Sequence, residues 1–204
     1  MQTLKRTVLF ILLTAAVAAA GMFFAPGFLA YSTNYTKADA VVILLGPVFS
    51  DRERHALDLI EKGMADYLII PAYHKTLRLD QRTLKPIPDN PDKKEINSKS
   101  KPVMPEYYED THIELIEAKK TMKRQGLKSA IFVSSPYHMR RIQIMVNKEF
   151  DFPSEYYFSP TPFEKAPLKA WELQASDWKK VRREYVKILW FLIYSPWTKE
   201  ETSG

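Results

Sequence analysis

The most chemically suggestive part of this chain is the segment 134–141, Ser-Ser-Pro-Tyr-His-Met-Arg-Arg. An apolar run precedes it and apolar residues at helical spacing follow it, which predicts a buried strand and then a helix with Ser135 as its N-cap. His138 and Arg141 are three residues apart, so they share one helical face and can reach the same anion. The free N–H groups and the positive end of a helix start favour the same ligand. The segment predicts a phosphate or carboxylate site. In the alternative interpretation Ser135 is only a cap, His138 packs locally and the arginines are solvated.

Strand-like apolar runs alternate with helical patterns along the chain, which predicts an α/β sandwich with a mostly parallel sheet. The predicted strands are 38–46, 66–70, 130–134 and 156–158. The predicted helices run from a cap at Ser50 or Asp51 to about Lys62, from a cap at Asp110 or Thr111 to about Gln125, from Pro136 to about Glu149, and from Ala175 to Tyr194, with Gly63 and Gly126 as stops.

Parallel strands bring their carboxyl ends to one edge of a sheet, where ligands usually bind. The residues expected there or nearby are Gly46, Arg54, Asp110, Thr111, Glu114, Ser134, Ser135, His138 and Arg141. We expect an anion to be held by Arg54, the 135–138 turn and Arg141. His138 would be the general acid or base, and Glu114 would orient it or a water molecule. In the structural alternative Arg54, Glu114 and Arg141 form an ion-pair network, and Glu184 and Lys187 pair along one helix.

Composition excludes several other chemistries. The chain has no cysteine, which excludes disulfides, thiolate metal sites and cysteine catalysis. No Gly-x-Ser-x-Gly elbow surrounds Ser134 or Ser135, so a serine nucleophile is disfavoured. His112 and Glu114 are two residues apart on a helix and diverge, so no metal site is predicted. The net charge is +6, yet zinc-finger spacing and an aromatic single-strand platform are missing, so nucleic acid is not the expected partner.

The N-terminal region predicts a membrane anchor. Lys5 and Arg6 precede the uncharged run 7–30, and about 20 helical residues cross a bilayer core of about 30 Å. The basic flank should stay in the cytoplasm, which places the rest of the chain on the exported side. A cleavable signal peptide ending at the alanines 18–20 is the alternative.

The remaining segments complete the predicted organisation. Residues 73–106 are rich in lysine and proline and lack periodicity, which is typical of a disordered or mobile insertion. The predicted division is a cytoplasmic N-terminus at 1–6, an anchor at 7–30, a stalk at 31–37, an α/β domain at 38–196 that contains the insertion, and a tail at 197–204.

Several pieces of the chain resemble the SanA/YdcF/ElyC family, bacterial proteins of a Rossmann-like fold, many of them anchored in the inner membrane. The resemblance covers about Lys37 to Tyr194, apart from the 73–106 insertion. The matching residues are the run 38–46 for the first strand and glycine loop, Arg54, Ala56, Leu59, Gly63 and Ala65 for an arginine-bearing helix, Ile69 and Ile70 for the second strand, Thr111 and Glu114 for the start of the long helix, the segment 133–141 for the serine–tyrosine–histidine–arginine motif, and Trp178, Glu184, Lys187 and Tyr194 for the last helix.

The resemblance implies a three-layer, open, mostly parallel Rossmann-like sheet and a role in cell-envelope biogenesis at the inner membrane. It identifies no cofactor. One hypothesis is an anchored enzyme that acts on a phosphorylated lipid carrier or glycan precursor. The other is a non-catalytic binding or scaffold protein of an envelope-assembly complex, with a nucleotide-like ligand such as S-adenosylmethionine. The chain departs from the family at Gly46-Pro47-Val48-Phe49, where bulk and a proline replace a glycine-rich loop.

Overall fold

The structure is a computed structural model that describes residues 2–80, 82–85, 107–150 and 155–197. In this part of the chain the helices are α1 (Gln2–Leu29), α2 (Phe49–Glu61), α3 (Asp110–Gln125), α4 (Met139–Glu149) and α5 (Ala175–Tyr194). The strands are β1 (Ala40–Ile43), β2 (Tyr67–Ile70), β3 (Lys75–Arg78), β4 (Ser129–Ser134) and β5 (Glu155–Pro160). Short 3₁₀ turns occupy Pro71–Tyr73, Pro136–His138, Ala170–Glu172 and Ser195–Trp197.

The described strands form one five-stranded sheet in the order β3-β2-β1-β4-β5. β1 is parallel to both of its neighbours, β4 is parallel to β5, and β3 is antiparallel to β2 at the edge. The prediction of an α/β fold with a mostly parallel sheet is confirmed, and the arrangement fits a Rossmann-like fold. The chain moves outward from β1 to β2 and later returns to the other side of β1 as β4, so the strand order reverses between β1 and β4. Ligands bind at such a reversal in open α/β sheets.

Alternation along the central strands builds two apolar layers, one on each face of the sheet. Val41 and Ile43 pack with Leu59 of α2 on one face. Val42 points the other way and packs with Leu115 of α3, in a cluster that α4 and α5 complete. Because β1 is buried on both faces, its sequence is a continuous apolar run rather than an alternating one.

The helix bounds follow the sequence prediction more closely than the helix caps do. α5 spans the predicted residues, and Gly126 ends α3 with a left-handed φ of 71°. The predicted side-chain caps are wrong: among the described residues, the N-cap positions of α2 (Val48), α3 (Glu109) and the 136–138 turn (Ser135) make no side-chain capping bond. Ser135 does precede its helical turn, but its hydroxyl is engaged elsewhere.

Part of the predicted insertion is regular structure. β3 pairs residue by residue with β2, from Tyr67 with Arg78 to Ile70 with Lys75. The prediction of a structureless stretch beginning at residue 73 is therefore wrong for β3. An edge strand is stabilised mainly by hydrogen bonds to its neighbouring strand, so its sequence need not contain a buried apolar face. Residues 86–106 of the insertion lie outside the described residues.

The end of α1 is attached to the α/β domain near the predicted motif. Leu29 packs with Tyr137, and the Arg140 guanidinium donates to the Phe28 carbonyl at 2.9 Å. Over the described residues, no helix is both long enough and apolar enough to cross a membrane. The anchor at 7–30 stays a prediction.

Candidate functional site

A cavity of about 800 Å³ opens where β1 and β4 end. Leu45 and Gly46, which follow β1, form one wall, and Ser135 and His138, which follow β4, form another. The first turns of α2 and α3, the turn after β2, Glu164 and one side of α5 also line it. The cavity therefore lies at the reversal of strand order, the position that the topology alone predicts for a ligand.

Inside the cavity His138 stands between a carboxylate and a hydroxyl. Its Nδ1 lies 3.2 Å from Glu184 Oε2, and its Nε2 lies 3.3 Å from Thr111 Oγ1. These three residues come from the 136–138 turn, α5 and α3, and all three line the cavity. A carboxylate, an imidazole and a hydroxyl in this order form the arrangement in which the imidazole accepts a proton and the carboxylate holds its orientation.

The position of Arg141 decides the tautomer of His138. Arg141 Nη2 lies 2.8 Å from Nδ1 and 3.3 Å from Nε2 of the same ring. A donor on the in-plane lone pair of one ring nitrogen would be far from the other nitrogen, so Arg141 contacts the ring face and does not bond to either lone pair. We therefore assign the proton to Nδ1, which donates to Glu184, and the lone pair to Nε2, which accepts from the Thr111 hydroxyl.

The surroundings keep His138 neutral and Glu184 charged. Burial, together with the nearby Arg141 charge, lowers the pKa of His138 to about 4. Burial alone would raise the pKa of Glu184, but the hydrogen bond from His138 and the charge and hydrogen bond of Arg141 outweigh it and hold that pKa well below its usual range. At neutral pH the site therefore holds a proton acceptor beside a fixed negative charge.

Arg141 is almost fully buried and joins three elements through ion pairs. Its Nε donates to Glu184 Oε2 at 2.8 Å, and its Nη1 donates to Glu109 just before α3. Lys187 of α5 approaches the same Glu109 carboxylate at 4.0 Å. Arg141 is thus occupied by protein carboxylates, so its main effects are to orient Glu184 and to place positive charge beside the His138 ring.

The Arg52 side chain binds the backbone of the loop that follows β1. Its guanidinium donates to the Leu44 and Leu45 carbonyls at 2.7 and 2.5 Å and to Ser135 Oγ at 2.8 Å. A Cβ on Gly46 would stand 2.2 Å from Arg52 Nη2, so only glycine leaves room for this side chain. Arg52 Nε is buried and has no hydrogen-bond partner among the described residues. The arginine therefore links the ends of β1 and β4 directly.

Glu114 does not orient His138, which is one of the two roles that the sequence predicts for it. Its Oε2 accepts from the Leu45 N–H at 2.8 Å, and no hydrogen bond joins it to His138 among the described residues. Burial raises its pKa, against the opposing effects of the Leu45 hydrogen bond and the Arg52 charge. Orientation of His138 belongs to Glu184, because α5 brings that carboxylate to the ring while Glu114 on α3 faces the β1 loop.

The structure brings most of the predicted site residues together and leaves two outside. Lining the cavity are Gly46, Asp110, Thr111, Glu114, Ser135, His138 and Arg141. Ser134 is fully buried beneath the cavity wall, and its hydroxyl has no partner among the described residues. Arg54 is exposed, with its guanidinium 3.9 Å from the centroid of the Phe163 ring. Arg54 therefore cannot make the predicted anion contact. Arg52 lines the cavity, and residues two apart on a helix face nearly opposite directions, so Arg54 faces away from the cavity.

Of two central residues, the sequence prediction missed Arg52 and gave Glu184 only as a partner of Lys187, whereas the structure pairs it with Arg141. Both carry a signal that could have found them, because each is a charged residue on the apolar face of its helix. Glu184 lies three residues after the buried Val181 and four before the buried Ile188. A charge in such a position must find a buried partner, which is typical of functional or cross-element ion pairs.

A metal centre finds no support in the described residues, where no group of three or more histidine, aspartate or glutamate side chains is arranged to hold an ion. His112 does not line the cavity: its Nδ1 contacts Tyr194 Oη at 3.1 Å inside the core.

Comparison of the chain with protein-family models, with curated proteins and with solved structures finds no match.

Proposed function

We propose that this protein is a membrane-anchored component of the bacterial cell envelope that binds the anionic part of a lipid-carrier or glycan precursor and transfers a proton to or from it through His138. The observation that carries the proposal is the Glu184–His138–Thr111 chain on the wall of a ligand-sized cavity. A fold or an ion-pair network can be stable without a neutral imidazole held between a carboxylate and a hydroxyl on a cavity wall.

Cations on α5 support an anionic ligand. Lys180, Arg183 and Lys187 are spaced three and four residues apart and all line the cavity. Lys180 and Lys187 make long ion pairs of 3.7 and 4.0 Å with carboxylates, and Arg183 makes no ion pair with any described residue. Arg183 is exposed and planar, so it is the guanidinium we expect to bind a phosphate in two-point geometry.

Proton transfer follows from the tautomer. With a diphosphate as ligand, Nε2 of neutral His138 accepts a proton from a water molecule in the place of the Thr111 hydroxyl, while the water oxygen bonds to the terminal phosphorus and the bond from that phosphorus to the bridging oxygen breaks. Glu184 stabilises the imidazolium that results and keeps Nδ1 protonated throughout. The low pKa of His138 makes it a weak base at neutral pH and favours return of the proton to the bridging oxygen that leaves.

The anchor is supported by the exposed surface of α1. The uncharged run 7–30 presents large apolar side chains to the outside, among them Leu9, Phe10, Leu12 and Phe24, each more than 60% exposed. Such a surface is unfavourable in water and favourable in lipid. Because Lys5 and Arg6 precede this run, we expect the α/β domain on the exported side of the inner membrane.

The test uses the full chain in lipid nanodiscs that contain a polyprenyl phosphate. We expect Arg183→Glu to weaken binding at least about tenfold, a loss of about 1.4 kcal/mol. Arg54→Glu is the matched control, because Arg54 lies on Phe163 outside the cavity. Equal affinity of both variants and the unmodified protein would contradict the anion site.

The non-catalytic alternative is favoured by one specific observation. Both buried arginines already donate to protein oxygens, and Arg52 fills the space in which the backbone at Gly46 would approach a phosphate. A binding or scaffold protein with a nucleotide-like ligand such as S-adenosylmethionine would use the cavity in this form. With polyprenyl diphosphate as probe, His138→Gln separates the two functions: retained binding with loss of phosphate release supports catalysis, whereas binding without any release in the unmodified protein supports the alternative.

A further inference from the structure

We infer that the loop 162–172, between β5 and α5, seats in the surface of the bilayer and turns the cavity towards the membrane. We name this segment the interfacial loop. The inference rests on the proposed anchor and goes beyond it, because a helix in the membrane does not by itself say which side of the domain faces the lipid.

The end of α1 lies at the same sheet edge as the cavity. The 136–138 turn directly follows β4, so it marks the carboxyl edge of the sheet. α1 packs against this turn, with Leu29 beside Tyr137, while the next residue along the chain is His138. After α1 the chain runs back along β5, where Thr33 and Phe158 exchange hydrogen bonds, to begin β1 at the opposite edge. The anchor therefore emerges next to the cavity and not behind it.

The interfacial loop fills the space between α1 and the cavity. On its inner side Glu164 lines the cavity, and the Pro167 carbonyl accepts a hydrogen bond from the Tyr137 hydroxyl. On its outer side Trp171 contacts Phe23 of α1 with ring centroids 5.1 Å apart. Phe23 is six residues before Leu29, on the part of α1 that leads away from the domain. The loop therefore extends alongside the anchor and does not stop at its C-terminal end.

The exposed side chains of the interfacial loop suit a lipid surface. Leu168 and Trp171 are 53% and 64% exposed, although both are large and apolar. Lys165 and Lys169 are exposed beside them, and Lys169 lies 5.5 Å from the Trp171 ring. Tryptophan with neighbouring lysines is the composition of protein segments at the membrane–water interface, where the indole sits among head groups and the ammonium groups meet anionic lipid. This surface is continuous with the apolar surface of α1, and that continuity selects a bilayer as the occupant.

One other exposed apolar surface competes for the same role. The outward face of α5 carries Val186, Leu189 and Ile193, each about half exposed or more. It extends from Tyr185, which meets α1, towards the far end of α4, and so away from the cavity edge. If that face rested on the membrane, the cavity would open sideways along the bilayer.

Site-directed spin labelling of the full chain in proteoliposomes separates these orientations, since the protein has no native cysteine. The labelled variants are Leu12→Cys in the anchor, Trp171→Cys and Leu168→Cys in the interfacial loop, Leu189→Cys on α5, and Lys62→Cys at the end of α2 as an aqueous reference. The measured quantity is the ratio of collision rates with oxygen and with a water-soluble nickel chelate. We expect this ratio to be severalfold higher for the labels at 12, 168 and 171 than for the labels at 62 and 189.

Each other outcome has a definite meaning. Lipid exposure at 12 with water exposure at both 168 and 171 would overturn the inference and leave the anchor in place. Water exposure at 12 as well would overturn the anchor with it. Lipid exposure at 189 with water at 171 would show that the domain rests on α5, which also overturns the inference. Dipolar broadening between labels at 171 would show that a second copy covers the loop and would overturn it too. Lipid exposure at 168, 171 and 189 together would support the inference with a wider contact.

Discussion

His138 and His112 have the same types of partner, a carboxylate and a hydroxyl, but very different surroundings. His138 contacts Glu184 and the Thr111 hydroxyl. His112 lies 3.1 Å from both Glu149 Oε1 and Tyr194 Oη, although its contact with Glu149 is not aligned as a hydrogen bond. The first group lines the cavity, whereas the second is walled by aromatic rings, with Tyr108 stacked 4.8 Å away.

The comparison shows that a carboxylate–histidine–hydroxyl set is not by itself evidence of a functional site. His112 is completely buried and has no open space in front of its ring, so its contacts serve to join α3, α4 and α5. His138 has a guanidinium against one face and a cavity beside it. What distinguishes them is access and charge, since only His138 can exchange a proton with a molecule that enters from outside.

The largest effect is expected from His138→Gln. This change removes the proton acceptor and should lower the turnover of the proposed reaction by about 10²–10⁴-fold, the usual contribution of a general base. His112→Gln should leave turnover per folded molecule unchanged, because its ring lies in the core and does not line the cavity. Phosphate release from polyprenyl diphosphate measures both. Equal losses in the two variants would remove the functional distinction.

Glu184→Ala should cost about 3–5 kcal/mol of unfolding free energy, because it leaves the buried Arg141 without one of its two carboxylates. Glu149→Ala is the matched control in the other group, and its carboxylate is twice as exposed, 19% against 9%. We expect a smaller loss there, about 1–2 kcal/mol. Denaturant unfolding followed by tryptophan fluorescence would measure the difference. A larger loss for Glu149→Ala would contradict the charge balance described for the cavity.

The pH dependence of stability offers a third distinction. The pKa of His138 falls from 6.5 to about 4 on folding. Between these pH values the unfolded chain binds a proton that the folded protein does not, so stability decreases as the pH is lowered. The expected change is about 3 kcal/mol at most. His138→Gln should lose this part of the slope, while the lowered pKa of His55 leaves a shared remainder. Identical slopes in both proteins, from urea unfolding at several pH values, would show that His138 is not held neutral.

Gly46→Ala should have the smallest effect, about 1–3 kcal/mol, by displacing Arg52 from its carbonyl partners and from Ser135. Gly21→Ala is the control, because a Cβ at Gly21 meets nothing within 4 Å. Gly46→Ala should also weaken ligand affinity in the cavity, whereas the contacts of His112 with Glu149 and Tyr194 should stay the same. Unaltered stability and affinity would mean that the Arg52 bridge does not shape the site.

Local patterns in the sequence were sufficient for the elements themselves. Apolar runs identified β1, β2 and β4, helical periodicity identified α3 and α5, and Gly126 marked a helix end, since each of these signals comes from neighbouring residues. The motif 134–141 also led to the correct sheet edge, because parallel topology collects strand ends there. These features depend on burial and backbone geometry over a few residues, which the order of residue types specifies directly.

Only the tertiary structure decided which charged groups meet. Arg52 and not Arg54 reaches the cavity because the rotation of α2 on the sheet selects one face, and Glu184 reaches His138 across 46 residues of chain. β3 exists through its pairing with β2, and the end of α1 lies against the 136–138 turn because the chain returns along β5. Such contacts depend on the distance between elements that are remote in sequence, and the free energy of a buried charge depends on those neighbours rather than on residue type.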